Sequence, residues 1–100
     1  MEEDKVIREL EAWLTESAEL PRGLSYASWL IDKGADYIGV KMADMAAECA
    51  VAARDRTTEQ LADRAASVIF YLAVLMRARG GTLEPVMRSV KANYVKRLSV

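Results

Sequence analysis

Apolar residues recur along this chain every three to four positions, and the two-residue alternation of a half-buried strand is missing. Val6, Leu10, Trp13 and Leu14 share one face of a first predicted helix, with acids in its opening turn, where the helix dipole favours them. The stretch LPRGL, residues 20–24, breaks that helix. Ser25 then caps a short second helix, SYASWLIDK, which Gly34 ends as a left-handed C-cap. A third helix is predicted from about Asp36 to Arg54, with Ile38, Met42, Met45, Ala46, Cys49, Ala52 and Ala53 as its apolar stripe. Thr57, with Gln60 three residues on, forms a capping box for a long fourth helix. Leu61, Ala65, Val68, Leu72, Leu75 and Met76 carry that helix to a stop at Gly80-Gly81. Thr82 caps a fifth, in which Pro85 falls in the first turn and Leu83, Met87, Val90, Tyr94 and Leu98 share a face. The fold class is all-α.

One hundred residues make a single domain, 1–100, just large enough to bury a core of its own. Sixteen alanines inflate the 52% hydrophobic content. Alanine suits close approach of helices and fills little core volume, so a bundle of this kind is expected to be completed by a second copy. A homodimer is the default. The net charge of −1 offers no basic field for nucleic acid. No apolar run reaches membrane-spanning length, and the acidic start MEEDK is unlike a signal peptide. The chain has no histidine, which rules out a Cys/His zinc site and a Ser-His-Asp triad. Its lone cysteine, Cys49, excludes an internal disulfide, reads as a buried inert thiol, and fits a cytoplasmic protein.

Chemistry is concentrated in KMADMAAECA, residues 41–50, where Asp44 and Glu48 stand one helical turn apart beside Met45. Hydrolysing a nucleotide pyrophosphate on a helical scaffold calls for Mg²⁺, and a hard cation needs several carboxylate oxygens converging from neighbouring helices. The fourth helix answers poorly. At the corresponding turn it reads ADRAASVIFY, with Asp63 present but Arg64 and Ser67 on the face that would look across.

The stretches SYASWLIDKGADYIGVKMADMAAECAVAA and EQLADRAASVIFYLAVLMRARGGTLEPVM together resemble the phosphoribosyl-ATP pyrophosphohydrolase family. Its members are all-α, MazG-like nucleotide pyrophosphatases that act in histidine biosynthesis. The likeness covers roughly residues 25–90, through Ser25-Tyr26, Lys33-Gly34, Ile38, Lys41, the alanine-rich end of the third helix and VLMRARGGTLEPV. It implies a five-helix bundle, probed below. It also implies metal acids in a Glu-Glu-x-x-Glu motif on helix three and a Glu-x-x-Asp motif on helix four, the latter usually followed by Tyr-His. Carried over, the first three acids fall on Asp44, Met45 and Glu48. The helix-four acids fall on Arg64 and Ser67, and the histidine on Tyr71. The family's glycine-, serine- and lysine-containing C-terminal tail has no counterpart in KANYVKRLSV.

Two of five carboxylates remain, so this stretch reads as the remnant of a metal site. No cofactor is expected, and Asp44 and Glu48 are residual metal ligands only if the chain is a weak Mg²⁺-dependent pyrophosphohydrolase. Otherwise they form an ion pair or small network with a partly buried Arg64, or a plain solvated face. Met45, Arg64, Ser67 and Tyr71 line the former site as binding residues for a protein partner or small ligand. Lys33 and Lys41 match positions near the family's phosphates, though a helical lysine is most often a solvated charge. Trp13 and Trp29 read as core anchors rather than contact residues. Acids lost inside a preserved framework favour a non-catalytic binding or scaffold protein, diverged or engineered, over an enzyme. The competing expectation is turnover of phosphoribosyl-ATP to phosphoribosyl-AMP.

Overall fold

A computed structural model describes the backbone of residues 2–20 and 24–98, and the side chains of residues 5–20 and 24–93. Five helices follow in order: α1 (Glu2–Ala18), α2 (Tyr26–Lys33), α3 (Ala35–Asp55), α4 (Thr58–Ala78) and α5 (Glu84–Leu98). Among the described residues there is no strand. No helix is long and apolar enough to cross a membrane.

The local signals that end these helices act as their chemistry dictates. The Ser25 hydroxyl accepts from the Ser28 amide at 3.0 Å and donates to the Ser17 carbonyl at 2.7 Å, tying the end of α1 to the start of α2. Residues 21–23 of the predicted break lie outside the described residues. Gly34 has φ 97° and ψ 164°, a positive-φ conformation open to glycine but outside the left-handed helical region expected of it. The Thr57–Gln60 capping box is formed in both directions, with Gln60 N donating to Thr57 Oγ1 at 3.2 Å and Thr57 N to Gln60 Oε1 at 3.0 Å. Gly80, at φ 78°, stops the chain just past α4. Thr82 acts one position further out than a helix cap, accepting from the Glu84 amide at 3.3 Å.

The core gathers at one end of the molecule. Leu14 of α1, Ala27 and Leu30 of α2, Ile38 of α3, Ala73 and Val74 of α4 and Leu83 ahead of α5 form its buried cluster. The far half of the α3–α4 hairpin projects beyond it, and Ala52 is its buried residue. The radius of gyration, 14.8 Å, exceeds the roughly 13 Å of a compact 100-residue domain. Consequences for several expected core positions follow. Ala46 and Ala53 are exposed, and Met42, Met45 and Cys49 are only half-buried. Val6 is exposed and Trp13 keeps 50% of its surface, its ring tilted against that of Phe70 with the centroids 6.2 Å apart. Leu83, just ahead of α5, and Val86 on it meet the core, while Met87 and Val90 face outwards. Tyr94 and Leu98 lie outside the described side chains.

One polar contact fixes the far ends of the chain together. Arg77 Nη2 donates to Glu11 Oε2 at 3.0 Å, and the other Glu11 oxygen accepts from the Leu83 amide at 2.9 Å. These two side chains are largely buried, and they join α1 to the α4–α5 junction.

Candidate functional site

Along α3, Tyr37, Lys41, Asp44, Met45 and Glu48 recur at helical spacing on one side. Arg64, Ser67 and Tyr71 do the same on α4. The helices run antiparallel, and contacts at either end set the register. Glu48 lies 3.8 Å from Arg64 at the projecting end. At the core end the Tyr71 hydroxyl meets that of Tyr26, on α2, at 2.7 Å. That register puts Met45 and Ser67 between the two ends.

The core end is aromatic. Tyr26 stacks against Trp29 at 5.8 Å and against Phe70 at 5.9 Å, and Tyr37 meets Trp29 edge-on at 5.7 Å. Burial, and then the hydrogen bond with Tyr71, push the Tyr26 hydroxyl up to about 12, against the opposing charge of nearby Lys41. The hydroxyl is held protonated well above neutral pH, and since one O–H of the Tyr26–Tyr71 pair is spent on the other, the pair keeps one O–H to donate. Lys41 Nζ sits 5.6 Å from the Tyr37 ring centre, and Lys33 Nζ 5.3 Å from that of Trp29. Both lysines thus flank the aromatic end. Trp29, read as a core anchor, is half-buried and serves as the platform for Lys33.

The projecting end is charged and wet. The side chains of Arg64 and Glu48 are 50% and 54% exposed. Arg64 is therefore not the partly buried cation expected from its position, because the core ends before the hairpin reaches it. A shallow depression beside the pair is lined by Glu48, Val51, Ala52, Arg56, Gln60 and Arg64. Asp44 is exposed and makes no ion pair among the described residues, so the expected network contracts to Glu48 and Arg64. The Ser67 hydroxyl is turned back to its own helix, donating to the Asp63 carbonyl at 3.3 Å. A larger cavity, of about 560 Å³, lies away from these residues, between α1 and the α4–α5 junction. The reacting types of side chain line the α3–α4 face, and Arg77 in the cavity is already committed to Glu11.

The resemblance implies magnesium on this face, and the donor set does not fit it. Magnesium demands near-ideal octahedral oxygen coordination. Here two carboxylates on α3 face a guanidinium and an internally bonded hydroxyl on α4, and one of the two carboxylates is paired with that guanidinium. Among the described residues no three histidine, cysteine or acidic side chains group so as to hold a metal.

The sequence model of the phosphoribosyl-ATP pyrophosphohydrolase family matches residues 7–93, taking in the whole α3–α4 face. The chain belongs to this family. A phosphoribosyl-ATP pyrophosphatase of Pyrobaculum arsenaticum is 37% identical over 82 residues, which cover 82% of this chain and 87% of that protein. One from Streptococcus sanguinis is 34% identical over 76 residues, 76% of this chain and 73% of the relative. The histidine biosynthesis bifunctional protein HisIE of Halalkalibacterium halodurans is 35% identical over 90 residues, 89% of this chain and 42% of the relative. The chain spans less than half the length of the bifunctional relatives it matches. These findings overturn the expectation of a non-catalytic binding or scaffold protein and of no enzyme. Replaced carboxylates tell which ions a face can hold; they do not decide whether the chain turns over a nucleotide.

Proposed function

We propose that this chain hydrolyses the α–β phosphoanhydride of phosphoribosyl-ATP, releasing pyrophosphate and phosphoribosyl-AMP. The observation that carries the reading is the family match across residues 7–93, together with relatives named for that reaction. Water adds its oxygen to the α-phosphorus, the bridging P–O bond breaks, and the pyrophosphate leaves with the bond's electron pair. Phosphoryl chemistry of this kind asks a protein mainly for positioning and charge stabilisation. On this face Arg64 faces the phosphates, and Lys41 and the Tyr26–Tyr71 hydroxyl pair supply donors at the aromatic end. Lys33 borders that end, and Met45 forms the apolar floor between. Asp44, exposed on the same side of α3, is the carboxylate that accepts a hydrogen bond from the attacking water. No step is routed through a protein-held metal. The test is pyrophosphate release from phosphoribosyl-ATP, followed by a coupled assay and by phosphorus NMR. Stoichiometric pyrophosphate and phosphoribosyl-AMP are expected, with Asp44→Asn at least tenfold slower, within the range general-base groups contribute. Release no faster than in buffer alone would sink the reading.

The proposal includes a homodimer. The α3–α4 hairpin, from its core end to its projecting end, exposes Val40, Val51 and Ile69 among its alanines. A second copy packed on that hairpin completes the bundle. Light scattering that gives the mass of one chain at micromolar concentration would remove this part.

A further inference from the structure

The mismatch between the α3–α4 face and magnesium has a chemical consequence. We propose that this chain binds the polyphosphate of its nucleotide with guanidinium charge in place of a protein-held divalent cation, through Arg64 and Arg56. The proposal rests on the nucleotide reading above.

Three observations support it. Arg64 is half exposed on the α3–α4 face, 3.8 Å from Glu48, at a position where the family resemblance implies an acid, so the face presents positive charge to a ligand at that point. Its present partner holds it loosely: 3.8 Å is beyond hydrogen-bonding distance, and both side chains are half exposed. A polyphosphate carries several charges and planar pairs of oxygens that match a guanidinium fork, so it displaces a single distant carboxylate. Finally, Arg56 and Gln60 line the same depression as Arg64, so that two guanidiniums and an amide surround one carboxylate, Glu48. Gln60 Oε1 is held by the Thr57 amide, which fixes the amide group in place. Seven residues separate Arg64 from Tyr71, about 10 Å along the helix. The phosphates therefore lie at the projecting end, and the rest of the nucleotide extends towards the aromatic one.

The experiment titrates the full chain with ATP as the probe, read by calorimetry and by tryptophan fluorescence, once in EDTA and once with excess Mg²⁺. ATP is expected to bind in EDTA at least as tightly as with Mg²⁺, which would otherwise neutralise the phosphates. Arg64→Gln and Arg56→Gln are each expected to weaken binding in EDTA by about tenfold, the loss of one strong charge-assisted contact. Glu48→Gln, which removes the competing carboxylate, tightens it. Circular dichroism confirms that these exposed-site variants are folded. ATP binding seen only with Mg²⁺, or unchanged in both arginine variants, overturns the inference. If pyrophosphate is nevertheless released, the proposed reaction stands without it. Arginine-dependent binding in EDTA with no pyrophosphate release supports the inference while the proposed reaction fails. Absence of binding in both buffers overturns the inference as well.

Discussion

Replacing Glu11 with alanine removes the buried polar contact between the first helix and the α4–α5 junction. Its carboxylate takes two hydrogen bonds, from Arg77 Nη2 at 3.0 Å and from the Leu83 amide at 2.9 Å. Hydrogen bonds to a charged group contribute about 1.5–3 kcal/mol each, and truncating one partner of a fully buried ion pair costs about 3–5 kcal/mol. Glu11 and Arg77 keep 19% and 24% of their side-chain surface, so water partly solvates the stranded guanidinium and the cost falls below the fully buried case. The expected loss is about 2–3 kcal/mol. For a domain of this length that corresponds to a fall in Tm on the order of 10–20 °C. Glu48→Ala is the matched control: it also removes a carboxylate from an arginine, but from a pair at 3.8 Å that is half exposed. Such surface pairs contribute about 0–1 kcal/mol. Thermal and urea melts followed by far-ultraviolet circular dichroism, at one fixed protein concentration, measure both variants. The double variant Glu11→Ala, Arg77→Ala should lose less than the sum of its parts, because the two side chains act on each other. Equal losses for Glu11→Ala and Glu48→Ala, within about 0.5 kcal/mol, would show that burial does not separate these pairs and refute the reasoning.

Arg64→Ala should change stability by no more than about 0.5 kcal/mol; a loss of about 1–3 kcal/mol, expected of a partly buried cation, would mean that its exposure is misjudged. Excess Mg²⁺ should leave the Tm unchanged, since an ion held at a hundred times its Kd would add about 2.7 kcal/mol and be seen at once. The Tyr26 hydroxyl, raised from 10.0 to about 12, favours the folded state fully below pH 10, and that contribution is lost as pH climbs from 10 through 12. A spectrophotometric alkaline titration should show one tyrosine ionising late, and Tyr71→Phe should bring it earlier; four tyrosines titrating together near 10 would contradict this. Thr57→Ala should cost about 1 kcal/mol, through loss of the α4 cap, with a cost near zero as the contrary result.

The number and kind of helices and the Ser25 and Thr57–Gln60 caps were legible in the residues alone, because those signals are local. A 3.6-residue period, a Thr57–Gln60 box or a positive-φ Gly34 acts within a turn or two of chain, so the sequence carries the whole instruction. The spacing of Asp44, Met45 and Glu48 against Arg64, Ser67 and Tyr71 showed equally which face had changed its charge. What each side chain meets across the fold is another matter. Glu11 finds Arg77 sixty-six residues away, and Tyr26 finds Tyr71 forty-five away. No periodicity marks either pair, since both depend on how helices cross. Exposure escaped the sequence for the same reason. Val6, Trp13 and Arg64 lie on sides of their helices that the apolar pattern or the family alignment turned inwards, yet they remain open to solvent. The pattern says which side of a helix would be buried if something covered it. Only the tertiary structure decides where the core stops, and here it stops before the hairpin does, leaving the face at Arg64 in water.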